Sequence, residues 1–420
     1  MSKKTLKDVS VLITKGTTPT SIGGSFTDKG IIFVKSESIT HSKYLNSDIF
    51  GHIDYQTDEK LKRSRLEEKD LLFSIAGAYL GKIAIVQKSD VPSNTNQAVG
   101  IVRLNHKLVD VDYIYYYFSQ NHINEYINKL SSQSSQPNLN LEQLGNLEFE
   151  YLNLQHQQKI ASVLSTLDAK IELNNKINTE LEAMAKTLYD YWFVQFDFPN
   201  EQGKPYKANN GEMVWSEELK RDIPKGWEVK MLKEIFNYLE GPGITKEKYT
   251  NKGHKFINIK CIQENDLEID NASMIQEKYI SQYSHFLLKE NDIVVSTSGT
   301  LGRSAVVRNC HLPLLLNTSV IRFRPQKEIY YSYMYFYLKS DVFVNNLYKY
   351  ATGSIQKNFG PTHLDQMAEL FPSDEIFNQF NEKSSPIISK INILRDENQT
   401  LAELRDFLLP MLMNGQVVIR

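Results

Sequence analysis

The run Gly77-Ala-Tyr-Leu-Gly81-Lys82 carries the residue types of a phosphate-binding loop: glycines that free backbone N–H groups, and a lysine to meet a charge. A Walker A loop needs four residues between its glycines and a Ser or Thr after the Lys. Here three residues intervene and Ile83 follows, and a similar run, Gly299-Thr-Leu-Gly302-Arg303, is shorter still. Both fit turns at strand ends. No G-x-G-x-x-G opens a βαβ unit, and the Asn/Asp-Pro-Pro-Tyr/Phe tetrapeptide of base-methylating enzymes is missing. So are H-E-x-x-H, G-x-S-x-G and a D…E-x-K nuclease cluster. His41, His52, His254 and His311 are scattered without partners at ligand spacing. The two cysteines, Cys261 and Cys310, have no Cys or His at metal spacing and read as small buried hydrophobes. The residues therefore predict a binding protein with no catalytic group, metal or cofactor of its own.

Composition sets the frame for such a protein. The 420 residues leave room for two or three domains, and 41% hydrophobic with 23% charged residues is ordinary globular composition. No apolar run reaches the roughly 18 residues that a membrane span needs. Met1-Ser-Lys-Lys-Thr leads into no hydrophobic segment, so the expectation is a cytoplasmic protein without a secretory signal. A net charge of -2 excludes a chain that coats nucleic acid non-specifically. Any nucleic-acid role must use local clusters or partner subunits for phosphate affinity.

The elements that would position such clusters occur twice. Leu6-Lys-Asp-Val9 returns as Leu232-Lys-Glu-Ile235, and Asp70-Leu-Leu-Phe-Ser-Ile-Ala-Gly77 as Asp292-Ile-Val-Val-Ser-Thr-Ser-Gly299. Asn96 is echoed at Asn317, Asp112-Tyr-Ile-Tyr-Tyr-Tyr-Phe118 at Ser332-Tyr-Met-Tyr-Phe-Tyr-Leu338, and Gln136-Pro-Asn138 at Gln356-Lys-Asn358. Order is kept at an offset of about 220 residues, so the chain is an internal repeat. Within each copy Gly30–Lys35, Ile83–Val86 and Ala305–Arg308 have strand composition. Tyr113 to Leu130 and Tyr333 to Tyr350 each read as one helix whose aromatic stripe faces a core.

Each copy ends in a long heptad-spaced segment. From about Gln155 to Trp192, apolar positions alternate four and three apart through Ile160, Leu164, Leu167, Ile171, Asn174, Asn178, Leu181, Ala185, Leu188 and Trp192. The second copy gives Phe380, Ser384, Ile387, Ile391, Leu394, Asn398, Leu401, Arg405, Leu408 and Leu412, with Leu404 sharing the seam beside Arg405. Pro386 stands near its start, where a helix tolerates it or begins again. Asn178 and Asn398 hold equivalent seam positions, where a buried amide penalises wrong registers; a solvated Asn in a splayed section fits equally well. The helices are expected to pair antiparallel, as a spacer of roughly 40 residues and about 60 Å.

These features resemble the specificity subunit of Type I restriction–modification systems. The resemblance rests on Leu6-Lys-Asp-Val9 leading to Lys15-Gly-Thr-Thr-Pro19, on Asp292-Ile-Val-Val-Ser-Thr-Ser-Gly-Thr-Leu-Gly-Arg303, on Tyr189-Asp-Tyr-Trp-Phe193, on Gly203-Lys-Pro-Tyr-Lys207 and on Ile223-Pro-Lys-Gly-Trp227, in that order over nearly the whole chain. It implies α/β (α+β) target recognition domains in two tandem copies, separated by two long helices that form an antiparallel coiled coil, with an internal pseudo-twofold repeat. The first recognition domain would span 1–152, the first helix 153–198, a linker 199–226, the second recognition domain 227–374, and the second helix with the C-terminal tail 375–420. The implied partners are double-stranded DNA, two modification (methyltransferase) subunits and restriction/motor subunits. Adenosylmethionine and adenine N6-methylation would belong to the modification subunits. Two rivals stay open: a stand-alone DNA-modifying enzyme with unrecognised motifs, and a coiled-coil scaffold.

Reading bases needs donors and acceptors at groove depth. Polar turns at equivalent places supply the candidates. In the first copy these are Lys15, Thr17, Thr18, Lys35, Ser36, Ser38, Tyr79, Lys82, Asn96, Ser134, Ser135, Gln136 and Asn138. In the second they are Lys246, Lys248, Lys260, Ser298, Thr300, Arg303, Asn317, Ser354, Gln356, Lys357 and Asn358. Asn96 and Asn317 could equally cap turns, and the serines could close loops on the core.

Overall fold

A computed structural model describes the chain except residues 1, 41, 78–79, 132–137, 264, 271, 352–358, 418 and 420. The chain divides into two compact units, residues 1–172 with 398–420, and residues 173–397. Each holds one head and part of both long helices.

The strands of the first unit are β1 (Ser2–Thr5), β2 (Ser10–Lys15), β3 (Phe26–Thr27), β4 (Ile31–Val34), β5 (Gly51–Ile53), β6 (Leu71–Ser74), β7 (Ile83–Ile85), β8 (Ser93–Thr95), β9 (Val99–Leu104) and β10 (Glu148–Tyr151). Those of the second are β11 (Met213–Ser216), β12 (Arg221–Pro224), β13 (Glu228–Met231), β14 (Phe236–Glu240), β15 (Tyr249–Thr250), β16 (His254–Phe256), β17 (Ser273–Ile275), β18 (Ile293–Ser296), β19 (Ser304–Val306), β20 (Val320–Pro325) and β21 (Ala368–Phe371). The main sheet runs β2-β9-β6-β7 in the first head and β14-β20-β18-β19 in the second. A smaller sheet accompanies each, β3-β5-β4-β8 and β15-β17-β16. The pairs β1–β10 and β13–β21 are antiparallel and deliver the chain to each long helix.

Burial explains why the central strands read as unbroken apolar runs. Leu71 and Phe73 face one core while Leu72 faces another, and in the second head Ile293 and Val295 oppose Val294 in the same way. A carboxylate stands just before each of these strands. Asp70 accepts two hydrogen bonds of 2.8 Å from Arg103 and one of 2.8 Å from Glu67 N. Asp292 is held the same way by Arg324 and by Lys289 N. Burial outweighs the Arg103 contact and pushes the Asp70 carboxyl above its ordinary range.

The aromatic helices each break once, where a single helix was expected. Val111–Phe118 is followed by Asn121–Ser131, and Tyr331–Tyr337 by Asp341–Tyr350. Ser340 causes the second break by capping the new helix, its Oγ accepting from Phe343 N at 3.2 Å. The stripe is core: Tyr113, Tyr116, Tyr335 and Tyr337 are at most 1% exposed.

The long helices are Leu154–Tyr189 and Asp374–Met413. Pro386 lies within the second, which neither stops nor restarts there. In the first unit Ile160, Ala161 and Leu164 pack in one core with Leu409, Leu412 and Met413, and Arg405 donates to Asp168 at 2.9 Å. In the second unit Asn174 donates to Glu397 at 2.8 Å, Asn178 to the Ile391 carbonyl at 3.4 Å, and the Trp192 and Phe380 rings lie 5.5 Å apart. In both units the residue numbers run in opposite senses, so the packing is antiparallel. Ile391 and Leu394 are buried; Leu167, Ile171, Leu181, Leu188, Ile387, Asn398, Leu401 and Leu408 are half-buried. Leu404 is 43% exposed and leaves the seam to Arg405, whose guanidinium reaches Asp168 while its stem covers apolar surface.

Candidate nucleic-acid interface

In the first head the ends of β2, β4 and β8 meet at one rim. Gly16 makes this possible, because a Cβ there would lie 2.1 Å from the Thr95 carbonyl oxygen and 2.3 Å from that of Asn96. The close approach lets Gly16 N donate to Val99 O at 3.2 Å and Thr17 N to Thr95 O at 3.0 Å. Asn96 Oδ1 accepts from Ala98 N at 3.1 Å and fastens the turn. Val34 pairs with Thr95, which brings Lys35 to the same edge, its amine 5.5 Å from the Phe26 ring.

Two rim residues escaped the sequence reading. Arg63 donates to Thr14 Oγ1 at 3.1 Å and to both Lys15 O and Thr17 Oγ1 at 3.3 Å. Gln97 accepts from Thr18 N at 3.1 Å and also from Thr18 Oγ1. Both are exposed, as is Lys15, while Thr17, Thr18, Asn96 and Lys35 are half-buried. The only advance signals were the basic run Lys62-Arg63-Ser64-Arg65 and the adjacency of Gln97 to Asn96.

The second head repeats the crossing with other side chains. A Cβ on Gly241 would lie 2.2 Å from the Asn317 carbonyl oxygen, and Thr318 N donates to Pro242 O at 3.1 Å. Lys15 is matched here by Glu240 and Gln97 by Thr318, so the rim changes sign and donor pattern on a common backbone. Lys246 and Lys260 are exposed. Lys248 is half-buried and committed, donating to Tyr283 OH at 2.8 Å and Gln282 at 3.4 Å with the Tyr279 ring 5.1 Å away.

The glycine runs are strand-to-strand turns. Ser74 N bonds Lys82 O and Gly81 N bonds Ser74 O, both at 2.9 Å; Ser296 N bonds Arg303 O at 2.9 Å and Gly302 N bonds Ser296 O at 3.0 Å. The left-handed φ of Gly81 (83°) and Gly302 (88°) closes each turn. Each turn leads into a strand, whereas a phosphate-binding loop opens directly into a helix. Asn138 is exposed and bridges to Ala76, so it stands beside the first turn. Lys82 is half-buried, Thr300 and Arg303 are exposed, and Arg303 borders a cavity of about 270 Å³ with Gln263, Asn265 and Lys339.

Four candidates are buried in this structure: Ser36 (8% exposed) bonds Glu37, Ser38 is fully enclosed, and Ser298 (6%) and Asn317 (7%) present little surface. Tyr79, Ser134, Ser135, Gln136, Ser354, Gln356, Lys357 and Asn358 lie outside the described residues. Among the described residues no group of three His, Cys, Asp or Glu could hold a metal ion, and no helix is long and apolar enough to cross a membrane. What the rims offer is amides, hydroxyls and cations, the groups that meet base edges and phosphates.

A family described as "Type I restriction modification DNA specificity domain" matches residues 1–183 and 224–399. The chain is 28% identical over 364 residues to the Type I restriction enzyme MjaIX specificity subunit of Methanocaldococcus jannaschii, covering 84% of this chain and 79% of that one. It is 24% identical to the HindI specificity subunit of Haemophilus influenzae, covering 92% and 94%. The crystal structure of a Type I restriction–modification S subunit from M. genitalium shares the fold, with a TM-score of 0.58 at 15% identity over 98% of this chain and 95% of that one.

Proposed function

The chain belongs to the Type I restriction modification DNA specificity family, and on that premise we propose that it reads a split, asymmetric DNA target for a modification complex. It is a non-catalytic subunit. The two recognition heads lie in 1–152 and 227–374, the helices of 153–198 and 375–420 space them, and 199–226 links the copies. The observation that carries this reading is the rim built twice on one backbone: Gly16 and Gly241 make the same crossing, while Lys15 becomes Glu240 and Gln97 becomes Thr318. A repeated scaffold presents two identical partners with equivalent surfaces, and divergent rims read two different half-sites.

The rim residues supply specificity through base-edge hydrogen bonds, each good pair discriminating by about 1–3 kcal/mol. With a net charge of -2, most phosphate affinity comes from the partners that enclose the DNA. Those partners are two modification subunits, which bind adenosylmethionine and methylate adenine N6, and restriction/motor subunits that cleave. This chain binds no cofactor, and the complex works in the cytoplasm. Mapping N6-methyladenine genome-wide with and without this gene tests the reading. Deletion should erase one split, asymmetric motif; an unchanged map in cells that make the complex overturns the proposal.

A further inference from the structure

The two heads are attached to the long helices by polar contacts near the same place in the repeat, made by different residues. In the first head, Ile85 N on β7 bonds Lys43 O at 2.9 Å and Tyr44 bridges to Ile85 in parallel. In the second, Asn265 makes the corresponding parallel bridge to Ala305 on β19. From that position Lys43, its side chain 5% exposed, reaches Asp112 Oδ1 at 2.8 Å and Ser165 Oγ on the first long helix at 2.9 Å, with the Tyr116 ring 5.1 Å away. The second head also sends a buried cation to a helix oxygen, but from a different element: Arg308, which Asp266 of the same head holds in place, reaches Asp396. Asn265 donates to Glu182 at 3.4 Å and its carbonyl accepts from Arg395 at 2.7 Å. Asp266 accepts two bonds, 2.9 and 2.8 Å, from the buried Arg308, which also donates to Asp396. Glu182 and Arg395 close the circuit at 2.6 Å.

We propose that Lys43 in the first head, and Asn265 with Asp266 in the second, are positioning residues that fix each head's angle on the helices and thereby hold the gap of the split target to one length. The inference rests on the function proposed above. Its physical basis is leverage. The first head runs into its helix at Leu154, and Ser165 lies 11 residues further along, about 16 Å at 1.5 Å per residue. In the second the helix begins at Asp374 and Arg395 lies 21 residues on, about 32 Å away. Head and helix already share an apolar core in each unit, but apolar contact has no direction; a polar attachment at that distance fixes the angle. Buried charges suit the task, because a partner geometry that drifts leaves a desolvated ion uncompensated.

The test uses the intact complex in cells. Methylated sites are mapped for the wild type and for Lys43→Met, Lys43→Arg, Asp266→Ala and Asn265→Gly, the last compatible with the left-handed backbone at that residue (φ 64°). The readout is methylation at targets whose gap is one base pair longer or shorter, relative to the wild-type gap. Lys43→Met, Asp266→Ala and Asn265→Gly should each raise this ratio at least tenfold without altering the half-site sequences, and Lys43→Arg should stay near wild type. Ser165→Ala, which deletes only the helix-side acceptor, carries the test where Lys43→Met fails to accumulate. Ratios within twofold of wild type, or a uniform fall in methylation at every gap, overturn the inference. A wild type with no split motif overturns the proposed function instead.

Discussion

Replacing Gly16 by Ala probes the rim at its tightest point. The added Cβ would stand 2.1 Å from Thr95 O and 2.3 Å from Asn96 O, so the strand end must retreat about 0.9 Å to reach even 3.0 Å. That movement stretches the bonds from Gly16 N to Val99 O (3.2 Å) and from Thr17 N to Thr95 O (3.0 Å) past bonding range. Two lost backbone bonds at about 1 kcal/mol each, with about 1–3 kcal/mol of overpacking, total about 3–5 kcal/mol. Amide hydrogen exchange on the purified chain reads this directly: protection at 16–18 and 95–99 should fall by about two to three and a half orders of magnitude, at about 1.4 kcal/mol per tenfold. In the methylation map the first half-site should relax and the second persist. Gly241→Ala, with Asn317 O at 2.2 Å, should give the mirror result. Wild-type protection in Gly16→Ala, or equal relaxation of both half-sites, would refute the two-rim argument.

Arg303→Ala should weaken recognition of the second half-site by about 1–3 kcal/mol and leave the first intact; methylation kinetics on singly mismatched targets decide it, and equal loss at both contradicts the assignment. His311 gives a pH dependence: its Nδ1 accepts from Arg308 N at 3.1 Å, and burial, reinforced by Arg308, lowers its pKa from the ordinary 6.5 to about 4. Because the unfolded imidazole takes up a proton below 6.5 and the folded one does not, stability is full above pH 6.5 and is lost as pH falls towards 4, by at most about 3 kcal/mol. All three tryptophans, Trp192, Trp215 and Trp227, lie in the second unit, so fluorescence-detected urea unfolding isolates it; a slope between pH 6.5 and 5 that survives in His311→Gln rejects the assignment. Asn178→Leu should stabilise that unit by about 1–2 kcal/mol in the same assay, since the buried Oδ1 has no hydrogen-bond partner among the described residues. A loss of stability would show that the amide is satisfied.

The scaffold was legible because its signals are periodic. Heptads marked both long helices, and the repeated Asp-apolar runs marked the central strands, since a strand buried on both faces must be apolar throughout. What escaped depends on distance in the chain. Arg63 reaches back 46 to 49 residues to Thr14, Lys15 and Thr17, and Gln97 is 79 residues from Thr18. No local pattern encodes such a pairing. The burial of Ser38 and Ser298 was hidden for the opposite reason, because a polar residue in a turn-like run looks exposed until the sheet above it is built. The break at Ser340 was readable from its capping hydroxyl, but the aromatic stripe on both sides masked it.

The two copies therefore act as a controlled comparison within one chain. Positions where a change would collapse the sheet stay the same: Gly16 with Gly241, Asp70–Arg103 with Asp292–Arg324, and Gly81 with Gly302. Positions that face outward change even in charge, as Lys15 against Glu240. The attachments to the helices fall in neither class. Lys43 and Arg308 stand on different elements, yet each ties its head to a long helix: Lys43 to Ser165, and Arg308, held by Asp266, to Asp396. Surface drift would have left two unrelated polar residues there, with no reason for either to be desolvated. Lys43 (6% exposed) and Arg308 (4%) are both buried against helix oxygens, so the common requirement is an enclosed cation on the head, met from different places in the fold. Different elements of the head meet it, provided the cation is enclosed and its acceptor stands on the helix.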